Sequence, residues 1–279
     1  MKNYKIIIIG GGNMGTAVLQ SLLRIKGILP KQITVVEHSA KKRKELATKF
    51  LVNVNLNLDP EIISRATIVL IAVKPQDFLV VVNGIKNYLS RDSLIVSIMA
   101  GVSVATIKLT LNHSSIIRVM PNLPMIVGEG MSVWYATPSV KKEFKFFISS
   151  LFNAGGKQIQ INDEKKFDAI TAVSGSGPAY LFSFVSDLMK AAKSLGLADN
   201  LAQNLILQTL KGSLVLLEKN NESAEEWQHR VTSKGGTTEA AFKILQKKRL
   251  NFIWLQAIRA AAQKSRTLST TIDRLFKKW

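Results

Sequence analysis

Tyr4-Lys5-Ile6-Ile7-Ile8-Ile9-Gly10-Gly11-Gly12-Asn13-Met14-Gly15 decides the fold. The unbroken β-branched run suits a strand covered on both faces, the condition of a strand inside a parallel sheet. Glycines at 10, 12 and 15 then follow the dinucleotide pattern in the context it needs, with a strand before and a helix after. Gly10 allows the tight turn, Gly12 lets backbone approach a pyrophosphate, and Gly15 lets the helix pack on the sheet. The helix start, including Asn13 and Met14, turns free N–H groups and a partial positive charge toward phosphate.

Working outward, apolar residues at Met14, Val18, Leu22, Leu23 and Ile25 give the helix one buried side, ending near Gly27. Strands are predicted at 33–36, around 52–54, at 67–73, 93–98 and 115–119, with helices at 41–49, 77–88 and 103–111 between them. Two added strands, 131–135 and 157–161, flank a helix around 140–153. Strands alternating with helices predict a parallel, doubly wound sheet. Past Asn162 the strand signals stop. Helices are predicted at 163–173, from Ser176 to Gly196, and at 199–218, 240–246 and 251–276. Ser176 is the predicted N-cap of the second, with Pro178 in its first turn. The fold class is therefore an α/β Rossmann-like N-terminal domain, residues 1–161, followed by an all-α domain, residues 162–279.

Composition removes several chemistries. With 47% apolar residues the chain can build a core, and with no cysteine it has neither disulfides nor thiolate ligands. Its three histidines, His38, His113 and His229, are far apart in sequence, so no metal site is expected. The N-terminal Lys2 and Lys5 precede an apolar run too short for a secretory segment or a membrane span. A soluble, cytoplasmic protein without membrane partners is expected. The formal net charge of +19 invites a nucleic-acid reading. Yet its basic residues form scattered short runs such as Lys41-Lys42-Arg43-Lys44 and Lys277-Lys278, without interleaved aromatic residues. No specific nucleic-acid partner is expected.

Glu37 ends the second strand, where an acidic side chain accepts from ribose hydroxyls and favours NAD. Ser39, Lys41, Lys42 and Arg43 follow at once and suit a 2′-phosphate, although such lysines also occur on ordinary solvated helix faces. NADPH and NADH both stay open. Ala72-Val73-Lys74-Pro75 closes the fourth strand at the end where ligands of open α/β sheets bind. Lys74 can serve there as an acid, as a loop-orienting group, or through its backbone alone. Asn122, after Met120-Pro121, offers an amide to the nicotinamide region; the bland alternative is a proline turn.

Late in the helical half lies Val231-Thr232-Ser233-Lys234-Gly235-Gly236-Thr237-Thr238-Glu239. Thr237 is the predicted N-cap of the helix that follows. The N–H groups of Gly236, Thr237 and Thr238 would form a nest for a carboxylate, and the hydroxyls would reach a small polar ligand. An ordinary capped loop accounts for the same residues.

Several segments together carry a resemblance. They are Gly10–Gly15, Val73-Lys74-Pro75, Ser97-Ile98-Met99-Ala100-Gly101-Val102, Arg118-Val119-Met120-Pro121-Asn122, Ser174-Gly175-Ser176-Gly177-Pro178-Ala179-Tyr180 and the 231–238 loop. In order and spacing the chain resembles pyrroline-5-carboxylate reductase from end to end. The resemblance implies hydride transfer from NADPH or NADH to the C5=N1 imine of Δ1-pyrroline-5-carboxylate, giving L-proline, the last step of proline biosynthesis. It implies that the helical domain dimerises, with larger rings such as a decamer built from dimers. It implies that Gly235, Gly236 and Thr237 hold the substrate carboxylate, that Thr238 bonds the ring nitrogen, and that Ser233 supports loop and substrate. Ser174, Ser176 and Pro178 would border the nicotinamide. The positions that follow the cofactor pattern are Gly10, Gly12, Asn13, Met14, Gly15, Glu37, Ser39, Ala72, Val73, Lys74, Pro75 and Asn122.

The chain departs from the family pattern at Lys234, where proline is usual, at Gln228-His229, where lysine and aspartate are usual, and at Leu123, where threonine is common. A β-hydroxyacid dehydrogenase would need a lysine early on the first long helix after the nucleotide domain, but none occurs there before Lys190. A reductase-like binding protein is the non-enzymatic alternative; the retained glycines and threonines count against it.

Overall fold

The structure is a computed structural model that describes residues 4–277; Lys2 and Lys278 lie outside them. Eight strands form one sheet: β1 Ile6–Ile9, β2 Ile33–Val36, β3 Asn53–Asn55, β4 Ile68–Ile71, β5 Leu94–Ser97, β6 Ile116–Met120, β7 Gly130–Ala136 and β8 Gly156–Gln160. Their spatial order is β3-β2-β1-β4-β5-β6-β7-β8. Chain direction reverses once: β7 runs antiparallel to β6, and β8 parallel to β7. The nine residues between β6 and β7, which include the 3-10 turn Leu123–Val127, are too few for a crossover, so the next strand pairs antiparallel.

Helices alternate with the strands: α1 Asn13–Arg24, α2 Ala40–Phe50, α3 Pro60–Ser64, α4 Phe78–Ile85, α5 Val104–Leu111 and α6 Lys142–Asn153. They cover both faces of the sheet. On one face Ile6, Ile8, Leu70 and Val96 meet Val18, Leu22 and Phe147. On the other Ile7, Ile9, Val69 and Ile71 meet Phe78, Val82 and Ile107. This is why β1 and β4 are apolar at every position instead of alternating.

The helical half comprises α7 Phe167–Ile170, α8 Gly177–Ser194, α9 Asp199–Lys219, α10 Ala224–Arg230, α11 Thr237–Lys247 and α12 Leu250–Lys277. Sequence periodicity does not resolve α3 or α10, both shorter than two full turns of apolar pattern. The expected helix at 163–173 is a 3-10 turn, then α7, then a π turn at Thr171–Gly175. Ser176 is therefore not an N-cap: its backbone is already helical, and its N–H donates to the Thr171 carbonyl. A cap needs the extended backbone that precedes a helix start, and here the chain arrives coiled.

By compactness the chain divides into 1–178 with 261–279, and 179–260. The end of α12 belongs with the sheet. Ile272 and Phe276 join the core on the α4 face, Phe276 packing on Phe78, and Asp273 accepts from the Ser103 and Thr106 hydroxyls. Asp168 accepts from Ser265 of the same helix at 2.7 Å. No helix among the described residues is long and apolar enough to cross a membrane.

Candidate active site

The glycine turn sits at the carboxyl ends of β1 and β4. Gly10 has φ +103°, and a Cβ there would lie 2.8 Å from the Ala72 carbonyl oxygen. Its N–H donates to Val36, tying the turn to β2. A Cβ on Gly15 would overlap the Gly10 carbonyl oxygen, so α1 rests directly on the turn. A Cβ on Gly12, by contrast, would meet nothing within 4 Å. That open space above the first turn of α1, beside exposed Asn13 and half-buried Met14, fits a pyrophosphate on the helix N-terminus.

Glu37 is pulled inward. Its side chain is only 4% exposed; Oε2 accepts from Gly11 N–H at 2.9 Å and Oε1 from Ser39 N–H at 2.8 Å. The carboxylate thus ties the glycine turn to the loop that starts α2. Ser39 caps α2 through the Lys42 N–H, and the Arg43 guanidinium donates to the Glu37 and His38 carbonyl oxygens. Lys41 and Lys42 remain exposed.

After β4, Ala72 N–H donates to the Ile9 carbonyl, the Lys74 side chain is exposed, and Pro75 opens a 3-10 turn whose Asp77 N–H donates to the Lys74 carbonyl. Asn122 ends β6. Its Oδ1 accepts from Met131 N–H at 2.8 Å, while Nδ2 donates to the Ser174 carbonyl at 3.2 Å and lies 3.4 Å from the Ser174 hydroxyl. The residues at 10–15, 37–39, 72–75, 122 and 174–176 all belong to the sheet unit.

The 231–239 loop belongs to unit 179–260. Gly236 N–H donates to the Ser233 carbonyl at 3.0 Å, closing a four-residue turn with Gly235 at φ +74° in its third position. Gly236 is the helix N-cap and Thr237 the first residue of α11, so the expected threonine cap moves by one. Because the Gly236 N–H is spent inside the turn, the expected nest is reduced to the N–H groups of Thr237 and Thr238, which at the first helical positions have no intrahelical acceptor. A Cβ on Gly236 would lie 2.5 Å from Ser233 Oγ, so the serine packs on the turn it closes. Glu239 Oε2 accepts from the Gly235 N–H, and its other oxygen pairs with Lys243 at 3.1 Å. The Gly235 hydrogen bond, then Lys243, hold the Glu239 pKa below its ordinary value.

A family profile described as pyrroline-5-carboxylate reductase dimerisation matches residues 164–268, and one described as NADP oxidoreductase, coenzyme F420-dependent, matches 5–101. The pyrroline-5-carboxylate reductase of Pasteurella multocida is 36% identical over 272 residues, covering 96% of this chain and 98% of that protein. The chain belongs to the pyrroline-5-carboxylate reductase family. The Arabidopsis thaliana pyrroline-5-carboxylate reductase is 33% identical, with 96% of each chain covered. Among solved structures, the Plasmodium falciparum pyrroline carboxylate reductase with NADP bound superposes with a TM-score of 0.88 at 31% identity, covering 96% of this chain and 99% of that one. The Coxiella burnetii pyrroline-5-carboxylate reductase gives 0.84 at 32% identity with the same coverage.

Membership makes the chain an oxidoreductase that uses a nicotinamide dinucleotide and self-associates through its helical region. Lys190, the first lysine of α8, pairs with Asp187 on an exposed face near the helix end, far from the position that a β-hydroxyacid dehydrogenase would require. Sequence reasoning passed over Glu239, which had a usable signal, an acid four residues after a turn glycine and within reach of its N–H. Arg43, expected with its neighbours to suit a 2′-phosphate, donates to the Glu37 and His38 carbonyl oxygens, partners that only the folded loop fixes.

Proposed function

We propose that this chain reduces Δ1-pyrroline-5-carboxylate to L-proline, using NADPH or NADH, as the last step of proline biosynthesis. Full-length similarity to reductases of that name carries the reading. A bound reduced nicotinamide would supply the hydride and be oxidised; with the substrate as its protonated imine, C5 would gain that hydride, the C5=N1 π pair would become the nitrogen lone pair, and N1 would keep the proton it already carries, giving one secondary amine.

The chain's own residues bind, orient and exclude water. In this reading Gly10, Gly12, Asn13, Met14 and Gly15 cradle the pyrophosphate, while Ser39 and the Glu37 loop border the adenosine ribose. Ala72, Val73, Lys74, Pro75 and Asn122 line the cleft toward the nicotinamide. Thr237 and Thr238 N–H groups, positioned by Gly235 and Gly236, receive the substrate carboxylate. The Thr238 hydroxyl holds the ring nitrogen, Ser233 keeps the turn closed, and Ser176 borders the substrate. Residues 1–161 act as the nucleotide-binding part and 162–279 as the dimerisation and substrate part. Assembly of dimers into a decamer and a cytoplasmic location belong to the same proposal.

The test is loss of reduced-nicotinamide absorbance with pyrroline-5-carboxylate and each cofactor, for the wild type and Thr238→Ala. Wild-type turnover is expected, with Thr238→Ala reducing kcat by about tenfold to a thousandfold at little change in nucleotide binding. A wild type that binds nucleotide but turns over with neither cofactor would overturn the substrate; an unimpaired variant would remove Thr238 from the site.

A further inference from the structure

Pro178 stands four residues after Ser174. In an α-helix the Ser174 carbonyl would take its hydrogen bond from the N–H at that position, and proline has none. A partly buried carbonyl left without a donor costs roughly what a lost hydrogen bond costs. The chain meets this loss at the very point where the helical half leaves the sheet. Locally it widens, with Thr171–Gly175 coiled as a π turn closed by Ser176 N–H on the Thr171 carbonyl at 2.8 Å. From the sheet, Asn122 reaches across and gives the Ser174 carbonyl the donor that Pro178 lacks, at 3.2 Å.

The other end of the same amide is engaged as well. Asn122 Oδ1 accepts from the Met131 N–H at 2.8 Å, anchoring the side chain to the start of β7. Gly175 meanwhile lies against Met120, the last residue of β6; a Cβ there would be 3.2 Å from the Met120 sulfur. The π turn is therefore held on the carboxyl end of β6 by a close glycine contact on one side and a two-ended amide on the other. Only a side chain carrying both a donor and an acceptor serves both ends.

We propose that Asn122 is a positioning residue. By giving the Ser174 carbonyl the hydrogen bond that Pro178 denies it, Asn122 fixes Ser174 and Ser176 at the mouth of the nucleotide cleft. This rests on the reductase reading and deepens it. Asn122 acts through the π turn, and its amide is committed to protein partners instead of the nicotinamide.

The test is a cycle of Asn122→Asp, Pro178→Ala and the double variant, read by steady-state kinetics and thermal unfolding. Asn122→Asp keeps the acceptor for Met131 but turns an acceptor toward the Ser174 carbonyl; Pro178→Ala returns the missing N–H. We expect Asn122→Asp to lower kcat by about tenfold or more while KM for NADPH moves less than about threefold, the signature of lost positioning without lost binding. In the Pro178→Ala background the same change should cost less than about threefold, because the two sites share one carbonyl. The proposal is overturned if Asn122→Asp leaves kcat within about twofold of wild type, if KM for NADPH rises alone, or if the two substitutions act independently. Should Asn122→Asp not fold, Asn122→Ala is read against the same criteria. If the wild type itself fails to reduce pyrroline-5-carboxylate, the substrate reading falls separately. The link is then judged on unfolding midpoints: a larger loss with Pro178 than with alanine supports it, and equal losses overturn it.

Discussion

The two compact units use their apolar residues in opposite ways. In the sheet unit, Phe78, Phe152, Phe167 and every residue of β1, β4, β5 and β6 are buried, and both faces of the sheet are covered. In 179–260, Ala202 is the one buried residue among those described, while Leu181, Phe182, Leu205 and Phe252 face outward, Phe184 is 45% exposed and Trp254 41%. Monomers rarely expose contiguous apolar surface beyond a few hundred Å². The sheet unit closes its core within one chain. The helical unit leaves its apolar faces open within one chain, and the dimerisation profile that matches residues 164–268 supports self-association through this region.

The sharpest way to break this contrast is Phe184→Glu. If α8 is covered by a partner, the change buries an unpaired carboxylate in each copy and costs several kcal/mol, so a monomer by sedimentation and a collapse of reductase activity are expected. Val80→Glu, on an exposed position of α4, should keep the assembly. Equal behaviour of the two variants would erase the distinction. Next comes Gly15→Ala in the sheet unit, where the new Cβ overlaps the Gly10 carbonyl oxygen. Overpacking of about 1–3 kcal/mol should weaken NADPH binding by about tenfold to a hundredfold, measured by calorimetry or KM.

Smaller effects are expected in the exposed loop. The Glu239 pKa is held down mainly by the Gly235 hydrogen bond and then by Lys243. Its folded value therefore lies below the unfolded one. The link is fully present above the ordinary carboxylate range and is lost as pH falls through the lowered value. Glu239→Gln should raise KM for pyrroline-5-carboxylate by a few-fold at neutral pH. Acidifying the wild type should raise its KM toward that of the variant, whose own KM stays flat over the same range. A pH profile shared by both proteins would separate Glu239 from the loop. The smallest change is Lys234→Pro. Lys234 holds the second position of the turn closed by Ser233 and Gly236, where proline is favoured. A gain of about 0.4–1 kcal/mol in unfolding free energy is expected; a loss would show a turn that proline cannot enter.

Legibility in the sequence follows the same contrast. Strands β1, β4 and β5 are readable because burial on both faces writes nearly continuous apolar runs rich in isoleucine and valine, and the glycine turn is readable because each glycine answers a local need. The reversal at β7 is hidden, since strand patterns carry no direction. So is the inward turn of Glu37: a strand-end carboxylate reads the same whether it faces ribose or the Gly11 N–H. Reading Ser176 as an N-cap has a similar cause, because serine before glycine and proline imitates a cap while the coil preceding it is held by Asn122, distant in sequence. The bonds from Asp273 to Ser103 and Thr106 span most of the chain and leave no local trace. In the helical unit the apolar stripes were legible, but what they pack against is not in this chain's own fold.

The central claim, a reductase whose helical unit is completed by a second copy, is tested most directly by active-enzyme sedimentation. A thin band of dilute protein is spun through pyrroline-5-carboxylate and NADPH while nicotinamide absorbance is scanned. The account predicts a boundary of NADPH consumption moving at the rate of a dimer or a larger assembly. A consumption boundary at the monomer's rate, or protein sedimenting through the mixture without consuming NADPH, would contradict it.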